Sequence, residues 1–131
     1  MSAEPLLPRR AFERADLPAL RHLVAAGATR AGLDGTANGA FVQAALEIAT
    51  NAVVHGGGHG TIELRVVGQE LRCEVRDGGP GMPDRADTAD TADGRGLRLA
   101  EALTERLDVS GGPGLRGTTV TLRVRVPESL N

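Results

Sequence analysis

Leu46-Glu47-Ile48-Ala49-Thr50-Asn51-Ala52-Val53-Val54-His55-Gly56-Gly57-Gly58 is the stretch on which the rest of this sequence turns. Read backwards through Ala45, Ala44, Val42 and Phe41 to Thr36 or Asn38, it predicts a helix ending near Val54 that is apolar nearly all round. Such a helix is buried on most of its sides. Three of its polar side chains stand out at a spacing of four: Glu47, Asn51 and His55. Steps of four residues advance only about 40° round a helix axis, so the three form a single stripe. A carboxylate on an apolar helix is costly to bury without a partner. The stripe therefore either edges solvent, with Glu47 and Asn51 satisfying each other, or faces something polar that is not part of the helix.

Working outward, Arg9 to Glu13 predicts a short edge strand around Phe12. A helix is expected from Asp16, which is placed to cap it, with Pro18 in the first turn. Leu17, Leu20, Val24 and Ala28 share one face, and Gly32 ends it. Downstream of the glycine run, Ile62, Leu64 and Val66 alternate with Glu63 and Arg65; after Gly68-Gln69, Leu71, Cys73 and Val75 alternate with Arg72, Glu74 and Arg76. This is an antiparallel hairpin with one buried face, and Cys73 points into it. A turn-rich loop runs from Asp77 to Pro83, followed by the low-complexity Ala86-Asp-Thr-Ala-Asp-Thr-Ala-Asp93. A further helix is expected near Gly96, carrying Leu97, Leu99, Ala100, Leu103 and Leu107. A short strand around Val109 and a long one from Thr118 to Val126 complete the pattern. Hairpins and grouped helices imply an α+β fold: a two-layer α/β sandwich whose mixed, mostly antiparallel sheet has helices on one face. The 131 residues suit a single domain, 1–131, with its core at about 10–127.

Composition narrows the chemistry. Hydrophobic residues make up 40% and charged residues 24%, as in an ordinary soluble globular protein. Aromatic residues are only 2%, Phe12 and Phe41, so stacking on exposed rings is nearly excluded. All 15 basic residues are arginine. Without lysine there is no Walker A phosphate loop, no kinase of the kind that needs a strand lysine and no Schiff-base catalysis. The formal net charge is -2 with scattered arginines, which argues against direct nucleic-acid or membrane binding. One cysteine, no apolar signal core and no 20-residue apolar span make the cytoplasm the expected location.

Two glycine clusters add to the polar stripe. Asp77-Gly78-Gly79-Pro80-Gly81 follows a buried strand, and Gly94-Arg95-Gly96 opens a helix whose N-terminal N–H groups suit an anion. The polar segment between them, about 82–94, has the composition of a mobile cover. Glu47-x-x-x-Asn51-Ala-x-x-His55, Asp77-x-Gly79-x-Gly81, Gly94-x-Gly96-Leu97 and Gly117-Thr118 resemble, in order and spacing, the four boxes of the ATPase superfamily that includes gyrase, heat-shock chaperone and histidine-kinase ATP domains. Within it, the lone domain, the short lid and the wording EIATNAVVHG, GRGL and GTTVTL resemble bacterial anti-sigma factors that are serine/threonine protein kinases. The resemblance covers about residues 10 to 127.

That resemblance implies ATP and Mg²⁺ as cofactors. It makes Asn51 a ligand of Mg²⁺ and Glu47 the general base or the group that orients the attacking hydroxyl. Asp77 would accept a hydrogen bond from the adenine amino group. His55, Gly79, Gly81, Gly94, Gly96, Leu97 and Thr118 would complete the nucleotide site. The implied partners are a sigma factor and a small antagonist protein, and a homodimer is compatible with the pattern. Thr118 offers a separate check, since the period of two places it on the inward face with Val120, Leu122, Val124 and Val126. The alternatives are a nucleotide-gated binding module without phosphotransfer and a stand-alone histidine-kinase-type ATPase domain, the latter weakened because the sequence shows no recognisable phosphoacceptor; for His22, plain surface packing is favoured over a phosphoacceptor role. Gly112, Gly114 and Gly117 make a formal GxGxxG, but an alternating strand follows them and a hairpin turn is the better reading. His55 and His59 have the spacing of helical zinc ligands across glycines that make a helix improbable. Arg123 and Arg125 read as a solvated sheet face.

Overall fold

Alternating strands and an apolar helix can share a core only if the strands turn their apolar rows toward the helix, and the computed structural model shows how they do so. It describes residues 5–78, the backbone of 106–111, and 117–126. The elements are β1 (Leu7–Glu13), a 3₁₀ turn (Arg14–Asp16), α1 (Leu17–Arg30), α2 (Gly35–His55), β2 (His59–Val67), β3 (Glu70–Asp77), β4 (Arg106–Gly111) and β5 (Thr118–Arg125). The strands form one sheet in the order β1-β2-β3-β5-β4. Every pairing among the described strands is antiparallel, so no parallel pair of the mixed sheet occurs among them. None of the described helices is long and apolar enough to cross a membrane.

Register aligns the apolar rows. Ile62 stands opposite Val75 and Leu64 opposite Cys73; Cys73 in turn faces Leu122, and Val75 faces Val120. Phe41, Ala45, Ile48, Ala49 and Ala52 of α2 and Leu20, Val24 and Ala28 of α1 belong to the same buried cluster. Both phenylalanines lie within it, Phe12 at 2% and Phe41 at 1% exposure.

Several boundaries differ from the sequence expectation. The first strand begins at Leu7, because Leu7 as well as Phe12 is buried. Asp16 does not cap α1 through its side chain. Its carboxylate instead accepts the Glu13 backbone N–H at 2.9 Å, closing the 3₁₀ turn. Leu107, expected on a helix, lies in β4 opposite Leu122, so strand pairing prevails over helical spacing there. The helix expected near Gly96 lies outside the described residues. At the end of α1, Gly32 N–H donates to Thr29 and Leu33 N–H to Ala28, both at 3.0 Å, the paired bonds that close a helix C-terminus.

The outward face of the sheet is charged. Arg9 donates to Thr61 Oγ1 at 2.9 Å and to Glu63 at 3.3 Å, and also reaches Glu74. Arg65 bonds Glu63 at 2.9 Å, Arg72 bonds Glu70 at 2.7 Å and Arg76 pairs with Glu74 at 3.0 Å. The hydrogen bond from Arg65, aided by the charges of Arg65, Arg9 and Arg76, holds the Glu63 carboxyl below its ordinary 4.5, against a smaller opposing effect of burial. On the inward face, burial first and the neighbouring Glu74 charge second push the Cys73 thiol up to about 12.

Two outcomes follow from these environments. Cys73 should resist alkylation at neutral pH until the chain unfolds, because the reactive thiolate is suppressed and the sulfur is covered. Labelling followed by mass spectrometry checks this; rapid native labelling would contradict the buried placement. A depressed carboxyl contributes stability above its unfolded value that is lost as pH falls through its folded value. Glu63→Gln should therefore lose less stability than the parent on acidification from neutral pH to below 4.5, as denaturant titrations at each pH would show.

Candidate functional site

The C-terminal turn of α2 and the end of β3 are brought unusually close. Gly56 ends the helix, its N–H donating to Ala52 at 2.7 Å. A Cβ on Gly56 would collide with the Cβ and Cγ of Asp77 and with the Ala52 carbonyl oxygen. Only a hydrogen side chain lets the carboxyl-bearing end of the strand seat there. Across the sheet, Asp77 pairs with Gly60 on one side and Thr118 on the other. Gly117 precedes Thr118 at φ 77°, and a Cβ there would collide with the Asp77 carbonyl oxygen. Asp77 thus sits between two glycines and beside Thr118, which is buried at 4% exposure.

One turn back from Gly56 lies Asn51. Its side chain is 8% exposed, and its Nδ2 has no hydrogen-bond partner among the described residues. A buried amide without a partner costs about 1–3 kcal/mol, and native proteins rarely keep one without a reason. Assignment of the amide oxygen and nitrogen is interchangeable by a flip of the group, so the site has one amide whose polar end awaits a partner. Among the described residues no group of three or more histidine, cysteine, aspartate or glutamate side chains could hold a metal. A single neutral amide oxygen does fit Mg²⁺, which takes few protein ligands and completes its shell with phosphate and water.

One turn further back, half-buried Glu47 lines a groove of about 270 Å³ between α1 and α2, together with Leu17, Pro18, Arg21, Leu46 and Thr50. The Thr50 hydroxyl is engaged with the Leu46 carbonyl at 2.8 Å, which leaves Glu47 and Arg21 as the ionisable groups of the groove. His55 is exposed on the last turn of α2. The expected stripe is therefore real and graded: Asn51 buried, Glu47 at a groove, His55 at the surface. His55 ends α2 while His59 opens β2, so the two are not on one helix. His22 is exposed on α1.

Asp77 and Thr118 are cross-strand partners, and Asp77 abuts Gly56 at the end of the helix that carries Asn51. Gly79, Gly81, Gly94, Gly96, Leu97 and the segment 82–94 lie outside the described residues. In the sequence Gly56 reads only as a helix stop, and its contact with Asp77 crosses more of the chain than any local pattern reveals. The glycine triplet itself is the available signal. Arg21 and Thr50 carry no local signal that points to the groove.

The close approach predicts opposite responses at two glycines of similar appearance. Gly39, within α2, has nothing within 4 Å of the place a Cβ would take, so Gly39→Ala should stabilise by up to about 1 kcal/mol. Gly56→Ala should destabilise by about 1–3 kcal/mol, since the methyl must displace Asp77 or the helix end. Thermal or denaturant melts of the two variants check this. A neutral Gly56→Ala would remove the close approach.

Among curated proteins, none matches the chain in sequence. Among solved structures, the histidine kinase AdeS of Acinetobacter baumannii has the same fold, with a TM-score of 0.58 and 13% identity over 93% of this chain and 69% of that one. Residues 11–124 match the sequence model of the histidine kinase-like ATPase domain, a span running from β1 into β5. It takes in Glu47, Asn51, Asp77 and Thr118 together, and the chain belongs to the histidine kinase-like ATPase domain family.

Proposed function

We propose that this ATPase domain is an ATP- and Mg²⁺-dependent serine/threonine protein kinase of the anti-sigma type, which phosphorylates a small antagonist protein and sequesters a sigma factor. Family membership supports ATP as the ligand. The observation that carries the rest is the buried Asn51 amide with its orphaned end, one helical turn from a carboxylate that opens onto a groove. The similarity of the EIATNAVVHG and GTTVTL segments to anti-sigma kinases supports the finer reading. A buried cysteine kept as a thiol suits the cytoplasm, where this reading places the protein.

In this proposal Asp77 accepts a hydrogen bond from the adenine amino group, and Thr118 lies beside the base. Asn51 gives its amide oxygen to the cation, which when bound neutralises phosphate charge and steadies the triphosphate. Glu47 orients the acceptor hydroxyl entering along the groove and takes its proton as the oxygen bonds to the γ-phosphorus and the bond to ADP breaks.

Two variants separate binding from chemistry. Asn51→Leu should abolish the Mg²⁺-dependent rise in melting temperature produced by ATP, yet leave the ligand-free protein as stable as the parent or more so, because an unsatisfied buried amide is removed. Glu47→Gln should keep the ATP-Mg shift and lose at least about 100-fold in phosphotransfer. The transferred label, followed with radiolabelled ATP and the antagonist, should be acid-stable, as serine and threonine esters are. An acid-labile label would replace the reading with histidine phosphorylation, and an unchanged shift in Asn51→Leu would remove the cation role.

A further inference from the structure

The sheet face turned away from the helices carries a charge pattern that the nucleotide site does not use. By register Arg65 stands opposite Arg72, and Arg72 opposite Arg123, so one row across β2, β3 and β5 is all arginine. In the adjacent row Glu63 stands opposite Glu74. Like charges directly opposite one another on a sheet are destabilising, and alternating the sign along each row would relieve this without loss of solubility. On β1, β2, β3 and β5 this face carries Arg9, Arg65, Arg72, Arg76, Arg123 and Arg125 against Glu63, Glu70 and Glu74, and the register of β4 adds Arg106 to the arginine row and Asp108 to the glutamate row, so cations remain in excess in a chain whose formal net charge is -2. Within the face Glu63 is shared between Arg9 and Arg65, Glu74 between Arg9 and Arg76, and Glu70 pairs with Arg72; Arg123 and Arg125 are engaged as well, so the excess is one of net charge and not of unpaired groups. Between these side chains lies a trough of about 260 Å³, lined by the three row arginines and by Arg9, Glu63 and Glu74 among others.

We infer that this face docks an acidic segment of a partner protein, with its carboxylates set on the Arg65–Arg72–Arg123 row. Guanidinium groups take carboxylates through two parallel hydrogen bonds, which a row of lysines would not offer. Adjacent strands lie about 4.8 Å apart, close to the roughly 5–6 Å between helix residues three or four apart. A helix laid across the strands with acids at i, i+4 and i+7 therefore brings one carboxylate over each arginine. Nucleic acid fits less well, since the Glu63–Glu74 row would face phosphates and both aromatic residues, Phe12 and Phe41, are buried and offer no stacking surface. A second copy of the chain would set one cationic surplus against another.

The probe is a fluorescein-labelled helical peptide of about 15 residues with glutamates at i, i+4 and i+7, compared with its glutamine counterpart by anisotropy at about 50 mM and about 500 mM salt. The acidic peptide should bind at low salt, be released at high salt and be preferred over the glutamine peptide. Arg72→Gln and Arg123→Gln should each weaken binding about 3- to 10-fold. Arg14→Gln, an exposed arginine outside the face, should change it by less than about 1.5-fold. Because relief of a like-charge row should leave melting temperatures unchanged or raised, each variant is checked for fold by melting. Equal binding of the two peptides, or equal weakening by Arg14→Gln and the row variants, would overturn the inference. So would tighter binding of a single-stranded oligonucleotide, or a sedimenting dimer that Arg72→Gln dissolves.

Discussion

The seating of Gly56 against Asp77 ties the helix layer to the sheet at the point where chemistry is expected, and it constrains everything around it. The helix must stop there, so His55 is its last residue and the chain turns directly into β2. The strand must end there too, with Thr118 as the cross-strand neighbour of Asp77 and Gly117 accommodating its carbonyl. With the end of α2 pinned, Asn51 and Glu47 have fixed positions one and two turns back from it. A methyl group at either glycine would move all of these together.

What holds that junction is the sorting of the strands into two unlike faces. Inward rows of Ile, Leu, Val and Cys73 pack on α2, while outward positions form a net of arginine and glutamate. The polar stripe of α2 is the exception on the inward side. Burying Asn51 with an unsatisfied amide lowers the stability of the empty protein, a cost that native sequences tend to keep where ligands bind. Its presence among the otherwise apolar buried residues of α2 is therefore more informative than the packing around it.

Much of this is legible in the sequence. The nearly all-apolar helix, the alternation of the hairpin and the inward placement of Thr118 and Cys73 follow from periodicity, and the structure agrees at each. Leu107 reads as helical because a leucine at helical spacing fits a strand position equally well, and only pairing with Leu122 separates the two. Asp16 has the sequence context of a side-chain cap and instead closes the preceding turn, a choice set by the path of β1. The Gly56–Asp77 contact and the row of arginines depend on which strands become neighbours, and no local pattern contains that information.

We propose that the end of the sheet at Asp77 recognises adenine on a triphosphate. Isothermal calorimetry of the unmodified chain with ATP and with GTP, each with Mg²⁺, tests it most directly, because guanine presents a carbonyl where adenine presents an amino group. A carboxylate that accepts from adenine would meet a lone pair in guanine, so loss of one charge-assisted bond, about 1.5–3 kcal/mol, corresponds to roughly 10- to 150-fold weaker binding. ATP binding with GTP weaker by at least that lower factor is the result predicted; equal affinity for the two nucleotides, or no binding of ATP, would contradict it.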